Sequence, residues 1–177
     1  KADTSDLQAA PEDGVKTLAG EQLAELAGRI KSWGAELGFQ QVGVCDTALA
    51  EHEQRLEQWL QQGFHGAMEY MTRHGRRRSR PDELVPGTVR VISARMDYLH
   101  PAARPAMDLL DEPDRALVSR YALGRDYHKV LGKRARRLAD WLERETGLPA
   151  RSFVDTGPVL ERAWAERAGI GWIGKNA

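Results

Sequence analysis

Apolar residues recur at helical spacing from Glu21 to Leu37, and the pattern breaks at Gly38. The alternating, β-branched run "FQQVGVCD" follows at once, with Val42 and Val44 marking a strand. This change of period constrains the fold most, because an apolar helix face and an alternating strand adjacent in sequence can bury their apolar sides on one another. The change recurs along the chain. A second helix is expected over roughly residues 49–62, ending at Gly63, with a short helical piece at about 68–74. The run "TVRVISARMDY", residues 88–98, is the strongest strand, and the Pro-rich, acidic residues 99–118 read as a loop. A long helix runs from about Asp126 to Thr146, with Val130, Leu131, Leu138, Trp141 and Leu142 on its apolar face and Gly147 as its cap. "ARSFVD" reads as a third strand, Pro158 as the start of a helix through Ala168, and "GIGWIG" as a strand or tight loop. The alternation predicts an α+β fold, an α/β sandwich, without internal repeats. Residues 1–18 are polar and aperiodic and read as a flexible leader, leaving residues 19–177 as one domain.

Charge is balanced overall, 26 basic against 26 acidic residues, but unevenly placed. "RHGRRRSR", residues 73–80, holds five arginines, and residues 120–137 hold seven cations against Asp126 alone. Such runs either present a positive face to phosphates or form solvated surfaces. The single cysteine, Cys45, excludes a disulfide framework or a Cys-rich metal site and suits a reducing, cytoplasmic setting. Its place in mid-strand suggests a small buried apolar residue. No apolar stretch approaches the ~20 residues that span a membrane.

Asp155 is the first candidate for chemistry. A carboxylate at the C-terminal end of a strand lies where open sheets place their binding crevices, and burial would fit it to donate a proton. Taken alone, it is better read as an N-cap for the helix after Gly157 and Pro158. "SRYALGRDYHKVLGKR" places Tyr121, Tyr127 and His128 among Arg120, Arg125 and Lys129 at a helix start, suited either to an anionic ligand or to a capped, solvated helix. The five histidines show no metal-ligand spacing. The Gly169, Gly171 pair follows a helix and is a weak phosphate signal.

Taken together and in order, "WGAELGFQQVGVCD", "RPDELVPGTVRVISARMDY", "SRYALGRDYHKVL" and "FVDTGPVLERAWAERAGIGWIGKN" resemble the epoxyqueuosine reductases over residues 21–177. The resemblance implies a nitroreductase- or flavin-reductase-like domain that holds base-off cobalamin in place of flavin. It puts the family's proton donor, also a cofactor contact, on Asp155, which overturns the preference for a cap alone. It puts the corrinoid-lining arginine on Arg78, a variable cofactor contact on Ser119, and an asparagine of the cofactor site on Asn176. Family members continue into ferredoxin-type cysteine motifs for two [4Fe–4S] clusters and a helical part that grips tRNA. Neither occurs here, so the chain reads as a fragment or truncated product, ending on "GIGWIGKNA" before its next strand.

The implied reaction removes the epoxide oxygen of epoxyqueuosine at the tRNA wobble position to give queuosine and water, with electrons from an external donor arriving through the clusters. The expected partner is tRNA, the expected state a monomer, and no metal ligands are assigned in this chain. Two other readings stay open: a cobalamin- or flavin-binding module without catalysis of its own, and a nonspecific RNA-binding domain built on the arginine runs.

Overall fold

A computed structural model describes residues 20–99 and 102–175. The proposed leader and Asn176 lie outside the described residues. The elements run α1 (Gly20–Glu36), β1 (Gln41–Cys45), α2 (Ala50–Gln61), α3 (Tyr70–Arg73), α4 (Pro81–Leu84), β2 (Val91–Arg95), α5 (Ala106–Leu110), α6 (Tyr127–Thr146) and α7 (Glu161–Arg167). Short 3-10 turns occupy Gly75–Arg78 and Arg120–Ala122. The architecture is α+β and rich in helix. Its sheet, among the described residues, is the antiparallel pair β1–β2, with Gly43 opposite Ser93.

Two apolar clusters flank this ribbon. Ile30 and Leu37 join Phe39, Val42 and Leu138, so α1 and α6 close on β1. Trp33 and Trp141 meet edge-on at 6.1 Å on the rim of this cluster. The second cluster gathers Cys45, Leu49, Ala163 and Trp164, bringing α7 against the end of β1. Cys45 is buried as expected, and burial pushes its thiol pKa up. Gly147 ends α6 in the left-handed region at φ 71°.

Three expectations are corrected. Residues 150–155 form no strand: the Ala150 N–H donates to Glu143 Oε1 at 2.8 Å and the Asp155 N–H to Glu161 Oε1 at 2.9 Å, where a strand would use ladder carbonyls. Pro158 starts no helix, because α7 begins only at Glu161 after two tight turns. The 99–118 stretch is not all loop, since Ala106–Leu110 turns helical after Pro105. Residues 170–174 pair with no strand among the described residues.

Candidate active site

Asp155 sits in the link between α6 and α7, where the Thr156 N–H donates to Val154 O at 2.7 Å and the Val159 N–H to Gly157 O at 2.9 Å. Among the described residues it is the one non-glycine at positive φ, 58°. Aspartate tolerates that region better than most residues, at a cost of order 1 kcal/mol. A β-carbon at Gly157 would stand 2.4 Å from Phe153 Cδ1, so glycine lets the turn fold over that ring. The link is tied down beyond the turns: the Leu160 N–H donates to the backbone oxygen of Arg78 at 3.1 Å. Asp155 caps nothing, since its carboxylate faces α6 and α7 has no side-chain cap.

The carboxylate meets the start of α6. Tyr127 Oη donates to Asp155 Oδ2 at 2.5 Å, and His128 Nε2 stands 3.7 Å from the same oxygen. Asp126 is the cap here, its Oδ1 accepting the His128 backbone N–H at 3.0 Å and lying 2.9 Å from His128 Nδ1. The Tyr127 and His128 rings stack at 4.0 Å, and Tyr121 meets Tyr127 edge-on at 5.8 Å. The Tyr127 phenol is pushed up to about 12, chiefly because losing its proton would sacrifice the bond to Asp155. Asp126 is held below the usual carboxylate range, first by the His128 ring and next by its backbone N–H. The Asp155 side chain is 61% exposed, so the apolar burial expected around it is not supplied by the chain itself.

With this geometry in hand, relatives can be compared. The family described as epoxyqueuosine reductase QueG, DUF1730 matches residues 78–156. The epoxyqueuosine reductase of Pseudomonas aeruginosa is 56% identical over 167 residues, which cover 94% of this chain and 46% of that protein. Over most of its own length the chain is similar to part of the epoxyqueuosine reductases. That of Escherichia coli is 53% identical over 156 residues, 88% of this chain and 41% of its own length. The chain thus spans less than half of these relatives. A selenomethionine-labelled epoxyqueuosine reductase aligns with a TM-score of 0.72 at 25% identity, covering 87% of this chain and 41% of that one. An epoxyqueuosine reductase solved with a tRNA-Tyr epoxyqueuosine-modified stem loop aligns with a TM-score of 0.69 at 24% identity, covering 87% and 40%.

The residues that resemblance to the epoxyqueuosine reductases singles out are placed unequally. Arg78 is only 8% exposed, and its Nη2 and Nε donate to the carbonyls of Tyr70 at 2.7 Å and Met71 at 3.4 Å. Burial depresses its pKa. Its contact with the Asp155 link is through its backbone oxygen. Ser119 is exposed and precedes the Arg120–Ala122 turn. Sequence reasoning picked out Tyr127 and His128 without joining them to Asp155, and it missed Glu161, which holds the Asp155 backbone. The Asp-Tyr-His triplet at a helix start was the available signal, but a contact 28 residues away is not written in local spacing.

A corrinoid, a broad plate with apolar faces and an amide-bearing rim, would have to rest on an open surface here. Two cavities of about 330 and 460 Å3 are lined by neither Asp155, Arg78 nor Ser119. The segment leading into α6 exposes Leu117, Val118, Tyr121 and Leu123, and of these Tyr121 meets the Tyr127 ring that bonds Asp155. An iron–sulfur cluster does not fit: Cys45 is the sole cysteine, it is buried, and no group of three or more His, Cys, Asp or Glu side chains among the described residues is placed to hold a metal. No helix among the described residues is long and apolar enough to cross a membrane.

Proposed function

We propose that residues 19–177 are the catalytic domain of an epoxyqueuosine reductase, a nitroreductase-like unit that binds cobalamin and reduces epoxyqueuosine in tRNA to queuosine. The single observation carrying this reading is Asp155 held at an open, aromatic-lined surface by Tyr127 within a chain 56% identical to a named epoxyqueuosine reductase. A fold neighbour solved with a modified tRNA stem loop supports tRNA as the substrate. Cytoplasmic location, monomeric state and an external electron donor belong to the same proposal.

Removing the epoxide oxygen as water takes two electrons and two protons. Cobalamin, when bound, supplies the reducing equivalents at carbon. The chain's own task is the proton. Asp155 is the acid for the departing oxygen, and a covering ligand would supply the desolvation that the protein alone does not. Tyr127 keeps the carboxyl aimed, and Glu161 keeps its backbone in place. Ser119 and Asn176 are assigned to the cofactor rim. Arg78 serves the cofactor side while its guanidinium braces the carbonyls of residues 70 and 71.

The lone cysteine favours a second reading for this length of chain by itself: a cobalamin- or flavin-binding module that needs cluster-bearing residues to turn over. Titration with cobalamin, followed by visible and electron-spin spectra, tests the proposal. Base-off cobalamin binding supports it, and flavin binding without corrinoid binding overturns it. Turnover with a chemical reductant then separates the enzyme from the module.

A further inference from the structure

His128 stands between two carboxylates and uses a different ring nitrogen for each. Nδ1 lies 2.9 Å from Asp126 Oδ1, and Nε2 lies 3.7 Å from Asp155 Oδ2. We infer that His128 is a positioning residue for proton supply, reloading Asp155 after it has given up its proton; this rests on the reading of Asp155 as the acid.

The tautomer follows from the contacts. Asp126, a carboxylate, only accepts, so the neutral imidazole keeps its proton on Nδ1 and turns the bare Nε2 toward Asp155. A second proton taken from solvent can therefore land only on the atom that faces the acid. The His128 side chain is 43% exposed, open enough to exchange with water, and its ring is held by stacking on Tyr127. The groups facing it are Asp126 from the cap, Asp155 from the α6–α7 link and the Tyr127 phenol, while Lys129 next in the chain acts on Asp126. Tyr127 is the wrong source although it is nearer, because its proton is retained up to about 12. Its role is to orient the carboxyl through one lone pair of Oδ2, leaving the other to face His128.

At 3.7 Å the His128–Asp155 contact is an ion-pair distance, too long for a hydrogen bond. Closing to about 2.9 Å needs a carboxyl movement of under an ångström, which the open side chain permits. In the transfer the Nε2–H bond breaks and an Oδ2–H bond forms. The imidazole returns to its neutral Nδ1–H form on Asp126, and bulk water provides the next proton. No electrons move in this step.

Nuclear magnetic resonance of the 177-residue chain without cofactor tests this, with 15N-labelled histidine and 13C-labelled aspartate. The expected result is a neutral His128 protonated at Nδ1, with the Asp155 carboxyl carbon showing a second step coincident with protonation of that ring. His128→Gln should abolish the second step while the Tyr127–Asp155 bond persists. A neutral His128 protonated at Nε2, or an Asp155 curve unchanged by His128→Gln, overturns the inference. If His128→Gln fails to fold, Asp155→Asn gives the reverse cycle: an imidazole response identical to the parent chain's overturns it equally. Loss of the wider reading would appear separately, as absence of corrinoid binding with these resonances unaffected.

Discussion

Tyr127 Oη meets Asp155 Oδ2 at 2.5 Å, joining the first residue of α6 to the turn before α7 across 28 positions of sequence. The bond has a measurable signature. Ionising the phenol gives up its hydrogen bond to the carboxylate and then sets a second negative charge beside it, so Tyr127 should titrate at about 12 in an alkaline absorbance or resonance titration. Asp155→Asn should bring it back toward the ordinary tyrosine value of about 10. An unmoved titration would mean that Asp155 is not the cause.

Asp155→Asn should leave fold and corrinoid affinity in place, since the side chain is open and the amide nearly isosteric. In a full-length enzyme containing this domain, turnover should fall on the order of a hundredfold, the usual scale for a general acid. Single-turnover kinetics and a cobalamin titration separate the two effects. Full turnover with an unchanged pH profile would reduce Asp155 to its backbone role.

The elements that local pattern could reveal are those whose signals are local. The apolar stripe of α6, its Asp126 cap and its Gly147 stop all lie within one segment, and helix and bounds follow from them. "ARSFVD" was misread because Phe153 and Val154 have strand propensity, whereas a strand exists only if a partner strand arrives. Here Glu143 and Glu161 took the amides instead. Pro158 suits a first helical turn equally well as a local signal, yet the turns at Val154 and Gly157 delay α7 to Glu161. Asp155 was legible through a motif, while its φ of 58° and its partners on α6 depend on tertiary packing.

Acid should loosen the segment that carries Arg78. Glu53 on α2 accepts from Arg80 Nη2 at 2.8 Å and from Ser79 Oγ at 2.5 Å, and these bonds, Arg80's first, hold its pKa at about 2. A depressed carboxylate stabilises the fold above its unfolded value, near 4.5, and that contribution is lost as pH falls toward about 2. Arg80 is 40% exposed, so solvent screening keeps the effect modest. Glu53→Gln should lower the melting temperature by a few degrees at neutral pH and flatten its fall between those two values. Equal acid sensitivity in both proteins would contradict this.

Trp164 is 3% exposed and closes the cluster of Cys45, Leu49 and Ala163 under α7. Trp164→Ala should cost about 3–5 kcal/mol in urea unfolding, the range for emptying a buried aromatic site. Because α7 anchors Glu161, and Glu161 holds the Asp155 amide, the same change should weaken the Tyr127 titration signature before global unfolding. A loss under about 1 kcal/mol would show that the site collapses to fill itself.

The cations of α6 divide by what they already touch, and that division decides which of them can meet RNA. Arg136 pairs with Asp140 at 2.9 Å, Arg137 lies over the Trp141 ring at 5.3 Å, and Arg134 Nη1 donates to Met96 sulfur at 3.4 Å. Changing these three to alanine therefore removes packing as well as charge, and should lower stability along with any tRNA affinity. Lys129 and Lys133 are exposed, one helical turn apart, and among the described residues neither ammonium has an ion-pair or hydrogen-bond partner. If tRNA phosphates lie along this face, Lys129→Ala and Lys133→Ala should each reduce the salt slope of binding by roughly 0.7–0.9 and leave the melting temperature unchanged. Binding should weaken about equally for cognate and noncognate tRNA, because phosphate contacts carry charge and little sequence information. Measurement across a salt series gives the slope directly. A slope unchanged in the double variant would move the RNA face elsewhere, with the arginines of residues 73–77 next in line.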